Sequence, residues 1–253
     1  MSGTNRRPIR AIAAGLAGAG ASAAVILAGA DGAGANRGLP EGSEPVTLNP
    51  AEFSTEIDNP FFPLEVGSRW VYRETDKEGA RQKVVVTVTD ETRLIANGVT
   101  ARVVRDVVSE DGEFVEVTDD WYAQDAAGNV WYLGEATTEY KDGKPVSTAG
   151  SFEAGVDGAQ AGVIMPADPK PGTRYRQEYY AGQAEDRAKV LSRKADAEVP
   201  FGEFDPVLKT KDVAPLPPRA VEHKLYARGI GLVEARTIKG GSDREVLVKF
   251  RRG

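Results

Sequence analysis

The chain has no cysteine, which excludes disulfides, zinc–thiolate sites, iron–sulfur clusters and thiol catalysis and leaves stability to the core. It has one histidine, His223, so a metal site built from several imidazoles is excluded too. No Gly-x-Ser-x-Gly elbow occurs, and the serines of "AGSFEAG" and "GGSDRE" lie in loop-like sequence. Asp125, Asp157 and Asp168 lie in loops without the Asp-x-Asp-x-Asp-Gly spacing of a calcium loop. No long amphipathic helical period is found; the best short candidate, 181–191, reads equally well as the approach to a strand. Positive charge is in deficit, with net charge −6, and the long-range field of such a chain repels nucleic acid and anionic lipid surfaces.

What is present begins with a leader. "MSGTNRRPIR" is basic, and the twenty uncharged residues "AIAAGLAGAGASAAVILAGA" follow it. A small-x-small site at Ala33–Ala35, or at Ala28–Ala30, completes the layout of an export signal over 1–35. A retained anchor is the alternative, although alanine and glycine are weak membrane residues. Arg6-Arg7 fits the twin-arginine route and fits an ordinary basic n-region, and both stay open. "LAGA" resembles a lipoprotein box, but Ala30 stands where the lipidated cysteine belongs. Cleavage after Ala35 removes three arginines and one aspartate and leaves 218 residues of net charge −8. The expectation is an extracytoplasmic protein, secreted or in the cell envelope, with no stable membrane span after processing. Residues 36–54 read as a polar linker.

From there the signal is alternation. "KVVVTVTDETRLI", "VTARVVRDVVSE" and "EFVEVTDDWYAQD" interleave branched and aromatic residues with polar ones, as a half-buried pleated surface requires. "NG" at Asn97, "EDGE" at Glu110, "DAAGN" at Asp125 and "KDGK" at Lys141 punctuate them as hairpin turns. The C-terminal part repeats the pattern, and it does so at a near-constant offset. Gly67 matches Gly172, Gly98 matches Gly202, Val103-Val104 match Val207-Leu208, and Tyr122-Ala123 match Tyr226-Ala227. The fold class expected is mostly β: an antiparallel meander forming a curved sheet or open barrel from two similar β-units. It occupies 55–253 as one domain, with repeats at about 60–142 and 168–251 joined by a long loop, 143–172. In both copies a proline and a glycine precede an aromatic strand, so "PLEVGSRWVY" reads as a turn that launches a strand, with Trp70 and Tyr72 on one face.

"PLEVGSRWVY" and "KLYARGIGLVEA" together resemble a signature of exported bacterial β-meander proteins and lipoproteins of unassigned function. "EIDNPFFPL", "DDWYAQDAAGNVWYLGE" and "GVDGAQAGVIMP" resemble an actinobacterial-type subgroup of them. The resemblance spans Glu56 to Phe250 and implies turns and core aromatics rather than chemistry. More distantly, the topology is similar to the half-barrels of Lol-type lipoprotein carriers, which bind acyl chains on a concave face beneath a lid; this is fold analogy.

No catalytic residue, metal ligand or cofactor is assigned, and an enzyme is the disfavoured reading. Neighbouring acids such as Asp119-Asp120 point to opposite faces of a strand and do not form dyads along the chain. His223 shares a strand face with Val221 and Leu225, opposite Glu222 and Lys224, and is a candidate pH-sensitive contact. Segment 143–172 lacks a period yet carries Phe152, Val156, Val163, Ile164 and Met165, so it either plugs one end of the core or lids an apolar pocket. The leading expectation is a non-catalytic exported protein binding a lipid or other apolar or amphipathic small molecule on a concave sheet face. Trp121, Trp131, Met165, Tyr179, Tyr180 and His223 are the candidate contacts. An interaction or scaffold module without a pocket, and a carboxylate-based enzyme acting on glycans, stay as alternatives.

Overall fold

A computed structural model describes residues 38–76, 79 and 81–253. The export signal expected over 1–35, with its arginine pair and cleavage sites, lies outside the described residues. No described helix is long and apolar enough to cross a membrane.

The strands, in chain order, are β1 (Phe53–Ser54), β2 (Arg69–Thr75), β3 (Arg81–Leu94), β4 (Thr100–Glu110), β5 (Glu113–Asp125), β6 (Val130–Lys141), β7 (Lys144–Ser147) and β8 (Phe152–Glu153). They continue with β9 (Gln160–Met165), β10 (Arg174–Arg176), β11 (Glu178–Tyr179), β12 (Arg187–Val199), β13 (Gly202–Ala214), β14 (Ala220–Ala227), β15 (Gly231–Lys239) and β16 (Arg244–Arg251). They form one antiparallel sheet in the order β10-β12-β13-β14-β15-β16-β2-β3-β4-β5-β6-β9-β11. β9 also packs against β10, so the two ends of the path meet and the sheet nearly closes into a barrel. The expected meander is what the chain forms. Segment 143–172, read from sequence as an aperiodic loop, contains three short strands: β7, β8 and β9 each pair with β6 and extend the wall. Its apolar residues are why: Phe152, Val163, Ile164 and Met165 are buried there.

Alternation sets the interior. Trp70, Tyr72 and Glu74 of β2 are buried while Arg69 and Arg73 are exposed, and Val84, Val86 and Val88 of β3 alternate in the same way. Side chains two apart share a face, so each strand delivers one row inward. The turns before β2 and β10 share one hydrogen-bond scheme. Gly67 N donates to Val88 O and Gly172 N to Val190 O, both at 2.9 Å. Ser68 N donates to Glu65 O and Thr173 N to Lys170 O, both at 3.0 Å. Both glycines have positive φ, at 87° and 96°, which a side chain would strain.

The interior has two characters. At the end nearest Phe62 and Leu64 it is apolar and aromatic. Further along the same rows it is acidic, with Glu74, Asp106, Glu116, Asp120, Glu135, Asp212 and Glu245 all buried.

Candidate functional site

The segment 58–67, "DNPFFPLEVG", closes the apolar end. Asn59 fixes it: the side-chain amide donates to Gly128 O at 3.0 Å and Pro166 O at 3.1 Å. Its Oδ1 accepts from Phe61 N at 3.0 Å. Gly229 N donates to Pro60 O at 2.7 Å, tying the plug to the opposite hairpin. Proline at 60 and 63 suits a stretch that leaves few amides to satisfy. The plug directs Phe62 edge-on to Tyr122, with ring centroids 5.4 Å apart, and sets Leu64 over the barrel.

Beneath the plug lies a slot between Phe62, Leu64, Trp70, Tyr226 and Leu232, with Lys224 at its border. Its free volume is about 30 Å³, room for about one water, so the protein's own side chains fill the concave face. Trp70 Nε1 donates to Ile230 O at 2.8 Å and the Tyr72 hydroxyl to Leu232 O at 3.0 Å, which leaves their polar atoms engaged on the wall. Outside the plug, and sharing Pro63 and Leu64 with the slot, is a cleft of about 470 Å³. Ile57, Val66 and Phe250 give it apolar surface; Glu56, Asp58, Glu65 and Arg252 give it a charged rim. Arg102 also lines it, but its guanidinium is engaged with the carbonyls of Thr55, Asp90 and Glu91 at 3.4, 3.0 and 3.3 Å. Phe250 packs on Trp70, 5.1 Å between ring centroids, and so links cleft to slot.

None of the six residues singled out from sequence lines this mouth. Trp121 lies on the face opposite Asp120, under the Arg93 guanidinium at 4.0 Å, and Arg93 pairs with Glu153 at 2.6 Å. Trp131 packs edge-on to Phe53 and donates to Asp125 Oδ2 at 2.8 Å. Met165 is fully buried in the β9 wall, paired with Val130. Trp121, Trp131 and Met165 thus belong to one wall, β5-β6-β9. Tyr179 and Tyr180 are half-buried at and just after β11, with Arg176 5.9 Å from the Tyr179 ring. His223 stands between Lys211 and Arg236 on neighbouring strands. Burial first, then the charges of Lys209 and Lys211, hold its imidazole below the ordinary value, against the pull of Asp212.

The sequence pattern was not read as a charged interior. Among the carboxylates that meet directly across strand junctions, three pairs face the interior: Glu245 opposite Glu74, Asp120 opposite Glu135, and, third, Asp212 opposite Glu222. Lys224 sits at the third, its Nζ 3.2 Å from Asp212 and 3.7 Å from Glu222. Although burial opposes it, the attraction of those two acids raises the Lys224 ammonium above its ordinary range. Asp106, squeezed by burial first and then by Asp120, Glu116 and Glu135, is held well above the usual carboxylate range. The signal that could have found these acids is the alternation of Glu116, Thr118, Asp120 and Tyr122 along β5, which puts them on the Tyr122 face.

No family model and no curated protein matches the chain. One solved structure, described as a candidate lipoprotein from Parabacteroides distasonis, aligns with 76% of this chain and 99% of its own, at 14% identity and a TM-score of 0.43. Likeness at that level carries no weight for function, which rests on this chain's own residues. Among the described residues no group of three or more acidic or imidazole side chains is placed to hold a metal ion.

Proposed function

We propose that the protein is an exported, non-catalytic binder of a small amphipathic molecule, taken up at the barrel mouth. The observation that carries this reading is the cleft of about 470 Å³, separated from the apolar slot by Pro63 and Leu64, which line both. That volume lies within the range of ligand pockets, and apolar walls with a few charged groups are their usual lining. The ligand's apolar part rests on Ile57, Leu64 and Phe250, and its polar part meets the rim of Glu56, Asp58, Glu65 and Arg252. Export is supported by the leader layout of the first 35 residues. The buried acid pairs do not serve as a glycan-cleaving centre in this reading, because Glu74, Glu245, Asp120, Glu135 and Asp212 are each 5% exposed or less.

Trp70 provides the test. With Trp121 and Trp131 replaced by phenylalanine, titration with a single-chain amphiphile shifts the remaining indole emission and saturates. Leu64→Arg abolishes the shift. An unchanged emission, together with no small molecule in native mass spectra of protein from its own host, overturns the proposal.

A further inference from the structure

β16 and β2 form the junction at which the last long strand of the chain joins the first, a pairing between residues far apart in sequence. In its register Glu245 faces Glu74 directly, Leu247 faces Tyr72, and both glutamates turn inward at 3% exposure. Directly opposed side chains have Cβ atoms about 5 Å apart, so two full charges here repel at short range in a poorly solvated space. Neither carboxylate oxygen of Glu245 has a hydrogen-bond partner, and Glu74 Oε2 has none. Lys224, a buried cation on β14, is drawn to Asp212 and Glu222 instead. The charged and titratable groups that act on the pair are Tyr72 on β2, Asp106 on β4, Glu116 on β5, Asp243 in the turn before β16, and on β14 Glu222 together with the one cation among them, Lys224. β3 presents Gln82 directly opposite Glu74, its amide nitrogen engaged with Glu110 at 3.3 Å, and then Val84.

Buried and opposed, with both oxygens of Glu245 and Oε2 of Glu74 unpartnered, two carboxyls are satisfied together by one hydrogen, donated from one and accepted by the other. We propose that Glu74 and Glu245 form a proton-binding site in the β16–β2 seam, sharing one proton in the closed barrel and loosening the seam when it is lost to solvent. Burial is the main reason the proton stays. For Glu245 the charges of Glu74 and Asp106 add to it and Lys224 subtracts; for Glu74, Asp243, Glu222, Asp106 and Glu116 add. Both groups are thereby held well above the usual carboxylate range. A folded-state value raised above the unfolded one means that the folded protein binds more protons. Its stabilising effect is complete below the unfolded value, near pH 4, and is lost as pH rises through the folded value.

The test is thermal unfolding of the full chain between about pH 5 and about pH 9, with Glu245→Gln beside the wild type. The wild type melts at lower temperature as pH rises. Glu245→Gln melts above the wild type at the alkaline end and not at the acid end, and its folding takes up about one proton fewer. Amides of Val246 and Leu247 exchange more slowly in the variant than in the wild type at the alkaline end and equally at the acid end. An identical pH slope in the two proteins overturns the proposal. Should Glu245→Gln fail to fold, Glu74→Gln takes its place; absence of a carboxylic-acid infrared band that Glu74→Gln or Glu245→Gln removes from neutral wild-type protein also overturns it.

Discussion

Tyr122 and Tyr226 occupy matching places in the two halves of the barrel, and two residues earlier the halves part. The first half carries Asp120 there; the second carries Lys224. Both side chains are buried, at 2% and 4% exposure. Two strands that share their turn chemistry and aromatic anchor thus deliver opposite charges to one interior. In the second half, opposed Asp212 and Glu222 have an ammonium between them. In the first, Asp120 faces Glu135, and its Oδ1 accepts from the Tyr132 hydroxyl at 2.7 Å. Two strand entries can therefore share a turn while the electrostatics of the core beyond them differ, because turns depend on local backbone angles and core charge depends on what lies across the barrel.

The comparison breaks most sharply at Lys224. Lys224→Met leaves Asp212 and Glu222 facing each other in a buried space, and breaking a buried ion pair from one side costs about 3–5 kcal/mol, read by urea unfolding near neutral pH. A loss below about 1 kcal/mol would show that the ammonium is not what holds these strands together.

The shared turns separate the halves next. Alanine at a left-handed position costs about 1–2 kcal/mol. Gly172→Ala should show that cost alone, since a Cβ there meets nothing within 4 Å. Gly67→Ala should cost more, since its Cβ would lie 3.2 Å from Gly253 Cα. Equal losses in a paired melt would place the whole cost in the backbone angle.

The smallest effect distinguishes Asp106 from Thr210, which matches it in the second half. Asp106→Asn removes a charge that its surroundings disfavour and should stabilise by about 1 kcal/mol above neutral pH, with no gain near pH 4. Thr210→Val loses a hydrogen bond of 2.6 Å to Asp212 Oδ1 and should destabilise by about 1 kcal/mol at either pH. Changes of the same sign at neutral pH would contradict the contrast between the halves.

Much of the fold was legible. Alternation in 81–125 and the turn residues at Asn97, Glu110 and Asp125 indicated a meander, since pleat period and turn angles are local properties. The face assigned to His223 was legible for the same reason. The candidate site was not. Trp121, Trp131 and Met165 read as ligand contacts because large apolar side chains mark either ligand surfaces or cores; Arg93 lies over Trp121, Phe53 packs on Trp131, and Met165 is buried in β9. β7, β8 and β9 escaped notice because each is too short to show a period, and it is the free edge of β6 that selects them.

By itself the sequence determined the long strands, their turns and which residues of each share a face. The tertiary structure decided that Glu74 meets Glu245, that Trp70 reaches Ile230, and that the 58–67 segment plugs the end it launches from. The physical reason is one of range. Backbone angles and the two-residue pleat are set within a few bonds, whereas strand register and burial depend on partners more than a hundred residues away in the chain.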